Sequence, residues 1–299
     1  MSEKPIHIFG LGQCSLDYIG AIASYPPPDV KCEFSGLVIQ GGGPVATALV
    51  ALARWGLSCY FAGVVGDDSF GGLIRESLAD EGIDTGGMVT RKGFASQFAF
   101  IAAEAESPRR TIFWQRPTGP FLSPEEIDRN ILHRAKVLHT DGLCIDAALH
   151  ACRIARDRNI PVVVDAGTLR DGMRELAALS DCFISSELFA RQLTGGDDPL
   201  DACRIISEMG PAVAAVTLGA KGYVALADGD IIRKPAYPVA AVDTTGCGDV
   251  FHAGFIFGFL QQWTIERSLD LGAWAAARVS LRMGGRAGIP PLTELQERG

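Results

Sequence analysis

The stretch Val242-Asp243-Thr244-Thr245-Gly246-Cys247-Gly248-Asp249-Val250-Phe251, followed by an apolar run, carries the most pointed chemistry in the chain. Gly246 and Gly248 let the backbone turn sharply and approach a ligand. The apolar run predicts a helix, whose first N–H groups have no partner within it and whose dipole is positive at that end. Together they make an anion pocket suited to a transferring phosphoryl group. Asp249 stands at its mouth, where a carboxylate can take the proton of an attacking hydroxyl. Asp243 and Asp249 also fit plain turn and N-cap duty, but the full string favours the phosphoryl reading.

Strand-like and helix-like runs alternate around that turn. Ile6–Gly10, Cys59–Val65, Lys136–His139, Pro161–Asp165, Cys182–Ser185 and Ala212–Leu218 are apolar runs that read as buried strands. Val45–Trp55 and Phe70–Glu81 read as helices stopped by Gly56 and Gly82, and helical runs follow at Ala147–Arg158, Leu188–Leu193 and Pro199–Met209. The alternation predicts an α/β fold, with a mainly parallel central sheet flanked by helices. Residues 14–40 and 88–116 break the pattern and read as antiparallel strands or hairpins, a small β-sheet lid over the strand ends. The whole of 1–299 reads as one domain carrying that lid.

Composition narrows the classes. The 299 residues carry 27 Lys plus Arg against 35 Asp plus Glu, a net charge of −8, so no broad basic surface exists for nucleic acid. The eight cysteines show no C-x-x-C pair, and the five histidines share no metal spacing. Gly10-Leu11-Gly12 lacks the third glycine of a dinucleotide fingerprint, and no G-x-S-x-G elbow supports a hydrolase. No secretory leader and no membrane-spanning run is evident, and the expected setting is the cytoplasm with free thiols.

Asp-Thr-Thr-Gly-Cys-Gly-Asp-x-Phe closely resembles the C-terminal motif of the ribokinase (PfkB) family of carbohydrate kinases, with Cys247 in place of the common alanine. Further segments follow in family order: Gly41-Gly42-Gly43-Pro44-Val45-Ala46-Thr47-Ala48, Gly63-Val64-Val65-Gly66-Asp67-Asp68, Leu193-Thr194-Gly195, and Val216-Thr217-Leu218-Gly219-x-x-Gly222. The resemblance implies a ribokinase-like fold and an ATP-dependent sugar kinase using Mg2+, with K+ as a further candidate. It implies Asp249 as catalytic base and Gly246, Cys247 and Gly248 as the anion hole. Asp17 and Gly41, Gly42 and Gly43 would meet the sugar. Ser186, Thr217, Gly219 and Gly222 would fall on the ATP side, and Asp243 and Thr245 at a monovalent cation. A homodimer joined through the lid is the expected assembly, with no nucleic-acid or membrane partner.

The departures bear on substrate and metal. Ala46 and Gly43 stand where many relatives have Asn and Lys. The family's Asn-x-x-Glu, which helps hold magnesium water, aligns with Ser186 and Phe189, beside Glu187. The glycine-rich Gly284–Pro290 segment is similar to the branch containing sulfofructose kinases. A small ketose or ribose-like sugar is the leading expectation. An anionic sugar such as sulfofructose or a phosphosugar, met by Arg109 or Arg116, is the alternative. A nucleoside would need an aromatic shelf from Phe98, Phe100, Phe113 or Trp114. A sugar sensor without catalysis is the reading from another class.

Overall fold

The computed structural model describes residues 6–104 and 110–297; Arg109 and the first five residues lie outside that range. The chain begins with β1 (Ile6–Leu11), β2 (Ser15–Ile22), β3 (Ser35–Gly42), α1 (Pro44–Arg54), β4 (Cys59–Gly66), α2 (Ser69–Ala79) and β5 (Asp84–Arg91). It continues through β6 (Phe98–Glu104), β7 (Arg110–Gln115), α3 (Arg129–Leu132), β8 (Ala135–Thr140), α4 (Ile145–Asp157), β9 (Val162–Ala166) and α5 (Met173–Ala178). Then come β10 (Cys182–Ser186), α6 (Glu187–Thr194), α7 (Pro199–Met209), β11 (Val213–Thr217), β12 (Tyr223–Ala227) and β13 (Asp230–Lys234). The last elements are α8 (Cys247–Leu260), α9 (Ile265–Val279) and α10 (Leu292–Gln296).

Nine strands form the central sheet in the order β13-β12-β11-β10-β9-β8-β1-β4-β5. From β11 to β5 every pairing is parallel, and β12 alone runs against the rest, antiparallel to both β11 and β13. Both faces are buried because side chains alternate across a strand and each face has helices to meet. Ile8, Phe61, Val137 and Ile184 pack with α1, α8 and α9. Phe9, Tyr60, Leu138 and Phe183 pack with α4, α5, α6 and α7 on the other side. The chain leaves β1 toward β4 on one side and later returns to β8 on the other. Such a reversal opens a crevice beyond the C-terminal strand ends, where ligands of open α/β sheets sit.

A second sheet has the order β3-β2-β6-β7. Its two outer pairs are antiparallel, as expected, but β2 and β6 join in parallel across the middle, so it is not a plain antiparallel sheet. Residues 88–91 belong instead to β5, which pairs with β4 at the edge of the central sheet. Between them, β2 and β6 bury Ile19, Ala99 and Ile101 as a small apolar cluster. Among the described residues, no helix is long and apolar enough to cross a membrane.

Candidate active site

The crevice is lined from the strand ends upward. Asp141 follows β8, and its carboxylate accepts from the Gln13 N–H at 2.9 Å and the Leu143 N–H at 2.9 Å, tying the ends of β1 and β8 together. Burial pushes its pKa up to about 6. Asp165 lies near the end of β9, and the Arg170 guanidinium donates to the Asp141 carbonyl at 3.0 Å. Asp17 projects from β2, only 6% exposed, and accepts from the Ser15 hydroxyl at 2.7 Å. Burial raises its pKa, opposed by that hydroxyl and by the Arg286 charge.

The triglycine has a separate steric reason at each of two positions. A Cβ on Gly42 would overlap the Asp17 carboxylate. Gly43 caps α1 at φ +101°, where a side chain would be strained and would strike the Gln13 carbonyl. Gly41 packs beside Ser77 and the buried Arg286 guanidinium, so Gly41, Gly42, Gly43 and Asp17 converge on one corner.

The turn before α8 forms the opposite wall. Gly246 is the N-cap at φ +75°, packed so tightly on Gly285 that a Cβ would overlap it. Asp243 is 3% exposed and organises the turn. One of its oxygens accepts from the Thr245 N–H at 2.9 Å and hydroxyl at 2.8 Å, and the other from the Gly284 N–H at 2.8 Å. The Cys247 N–H is drawn back to the Thr244 carbonyl at 3.3 Å, and that of Val250 to Gly246 at 2.9 Å. The helix start therefore offers the Gly248 and Asp249 N–H groups to an anion, which adds Asp249 to the expected Gly246–Gly248 set.

Asp249 sits in this first turn with its pKa pushed well above the carboxylate range. Burial is the main cause, followed by the charges of Asp165, Asp17 and Asp141, while a hydrogen bond from the Thr47 hydroxyl opposes them. Asp249 and Asp17, from distant parts of the sequence, thus face the same space.

Beside the turn lies a pocket of ≈ 400 Å³ whose lining includes Thr217, Gly219, Gly222, Tyr237, Cys247 and Gly248. Alanines make up much of the rest of the lining, which suits a flat, partly apolar group. Ser186 is absent from that lining. Its hydroxyl caps α6, accepting from the Phe189 N–H at 3.0 Å and donating to the Gly167 carbonyl at 2.7 Å. Among the described residues, no group of three His, Cys, Asp or Glu side chains is arranged to hold a metal ion. Asp243 and Thr245 are engaged with each other.

Several site residues escaped the sequence reading: Thr47, Asp141, Asp165, Arg170 and Arg286. Arg110 on β7 donates to the Thr244 hydroxyl, linking the small sheet to the α8 turn.

A family model described as pfkB family carbohydrate kinase matches residues 6–291. The chain is 32% identical over 293 residues to a fructokinase of Klebsiella pneumoniae, covering 90% of this chain and 95% of that one. It is 26% identical over 298 residues to a ribokinase of Haemophilus influenzae, covering 96% of each. The structure of Arabidopsis thaliana ribokinase complexed with ribose and ATP matches it with a TM-score of 0.82 over 99% of both chains, at 21% identity.

Proposed function

The chain belongs to the pfkB family of carbohydrate kinases, and we propose that it transfers the γ-phosphate of ATP to a hydroxyl of a small sugar with Asp249 as the base. What supports this reading is that Asp249, in the first turn of α8, is near enough to Asp17 for the two charges to act on each other. In this reading the sugar lies against Asp17, whose carboxylate accepts from its hydroxyls, and the glycines let it meet the backbone. The nucleotide lies along Thr217, Gly219 and Gly222. Asp249 takes the proton of the acceptor hydroxyl, and the Gly248 and Asp249 amides meet the charge gathering on the transferring group. A pKa raised by burial makes Asp249 a stronger base once ionised. Magnesium arrives with the ATP phosphates and neutralises their charge. A monovalent cation near Asp243 and Thr245 would act by stiffening the turn, and exchange of K+ for Na+ tests it.

The deciding experiment is ATP consumption, with magnesium, against ribose, fructose, other ketoses, acidic sugars and nucleosides. Turnover of a neutral sugar supports this reading. Nucleotide binding without turnover of any of them points to a sensor.

Arg170 favours a second reading, an acidic sugar such as a sulfosugar or phosphosugar. Its guanidinium sits beside Asp141 and Asp165, and Arg116, just past the end of β7, adds to its positive surroundings. Turnover restricted to acidic sugars, lost in R170A, would select it. A homodimer would bury the exposed Ile112, Phe113 and Trp114 of β7.

A further inference from the structure

His252 lies on α8 one turn beyond Asp249 and is 3% exposed. Its Nδ1 is 2.8 Å from the Gly248 carbonyl and 3.5 Å from an Asp165 oxygen. Its Nε2 is 3.4 Å from the Ile184 carbonyl. Nδ1 is surrounded by acceptors, so it must carry hydrogen and donate. The ring is held flat by stacking on His139, with centroids 5.7 Å apart. His139 is itself fixed by the Val163 carbonyl, 3.0 Å from its Nδ1, and burial keeps it neutral, with a pKa near 3. The imidazole thus ties the first turn of α8 to β9 and β10.

We propose that His252 is a positioning residue for phosphoryl transfer, pinning and polarising the Gly248–Asp249 peptide through its hydrogen bond to the Gly248 carbonyl. The carbon of that carbonyl is bonded to the Asp249 nitrogen. A hydrogen bond accepted by the oxygen therefore strengthens the N–H of the same peptide unit as a donor. That N–H is one of the two the helix start leaves for the transferring phosphate. The same Nδ1 also faces Asp165, which holds the carboxylate nearest in influence to Asp249 in one place. A residue that merely fills core volume would need no donor at this position.

The inference rests on the kinase reading, and its test separates the two. Purified full-length wild type, H252L and H252Q are compared in steady-state kinetics, thermal unfolding, and binding of MgADP with and without aluminium fluoride, a mimic of the phosphoryl group in flight. The expected result for H252L is kcat lower by about ten- to hundredfold, with KM values within about threefold. MgADP binding stays unchanged, while binding in the presence of aluminium fluoride weakens in step with kcat. H252Q, whose amide can still donate to the carbonyl, recovers most of the loss. Should H252L fail to fold, H252M takes its place. Equal loss in H252L and H252Q, a loss confined to KM, or kcat within about twofold of wild type overturns the proposal. A wild-type chain that phosphorylates no sugar defeats the kinase reading alone, because the aluminium fluoride comparison still decides the role of His252. Failure of the wild type to bind any nucleotide defeats both.

Discussion

The turn that starts α8 and the four-stranded sheet face the same cleft, and they are built by opposite means. In the turn, Asp243 satisfies three donors, Gly246 packs on Gly285, and His252 fastens the first helical turn to the central sheet. The four-stranded sheet rests on the small cluster of Ile19, Ala99 and Ile101. Its outer strands leave Leu37, Ile39, Ile112, Phe113 and Trp114 exposed. Elements with little buried apolar surface open at low free-energy cost. In the proposed kinase reading the reacting groups would lie on the over-determined side, and the surface that meets a variable substrate on the yielding side.

The largest expected effect is on the rigid side. D249N should lose about 10²–10⁴-fold in kcat and keep nucleotide binding. It should also melt higher than wild type. A carboxyl whose folded pKa is raised binds its proton more tightly folded than unfolded, so its ionisation at neutral pH costs stability, and the amide removes that cost. Near-normal turnover removes Asp249 from the base role, and a lower melting point contradicts its burial.

D243A should come next, affecting stability and rate together. It strands the buried donors of Thr245 and Gly284, at a cost of about 1–3 kcal/mol for each group left unsatisfied. Calorimetry showing an unchanged midpoint would mean that the turn does not depend on Asp243.

The pH profile is a gentler probe. Because the Asp249 pKa is raised, activity should climb with pH through a limb above the ordinary carboxylate range. A flat profile down to pH 4–5 would place the ionisation elsewhere (roughly the range of free carboxyls).

The smallest effect belongs to the soft sheet. W114S should change monomer stability by no more than about 0.5 kcal/mol. If the lid dimer forms, sedimentation should show dissociation at micromolar concentration; a monomeric wild type removes that assembly.

The same contrast governs what could be read from sequence. Buried parallel strands announce themselves as apolar runs, and α1 was bounded by Gly56 because the chain there needs φ +85°. The β12–β13 hairpin was missed although Asp228-Gly229, both at positive φ, is a common two-residue turn signal. Residues 88–91 of β5 read as lid because β5 is the edge strand of the central sheet and is only partly buried, unlike the fully buried inner strands. In the site, Gly246, Gly248 and Asp249 carried a spacing that local chemistry explains, whereas Asp17 and Gly41–Gly43 were reached only through the family resemblance. Thr47, Asp165 and His252 carried none. Each is ordinary in its own element and acquires a role only when α1, β9 and α8 meet, which no local pattern encodes. His252 sits within an apolar helical run where packing is the plain expectation, and only its ring contacts distinguish it.

The bond from the Gly284 N–H to Asp243 spans 41 residues. During synthesis Asp243 emerges first and waits, at about 5–20 residues per second, roughly 2–8 s for its partner. The Gly284–Pro290 segment is also gripped by α1, through Arg54 to the Arg286 carbonyl at 2.7 Å and Trp55 to that of Pro290 at 2.8 Å. The earliest-made helix therefore holds the late-made strap that completes the phosphate turn. A nascent chain can pair most of its strands while the turn before α8 is still unassembled, but until α8 and α9 emerge one face of the central sheet lies partly uncovered, so a ribosome stalled within that interval would carry a paired but incomplete sheet.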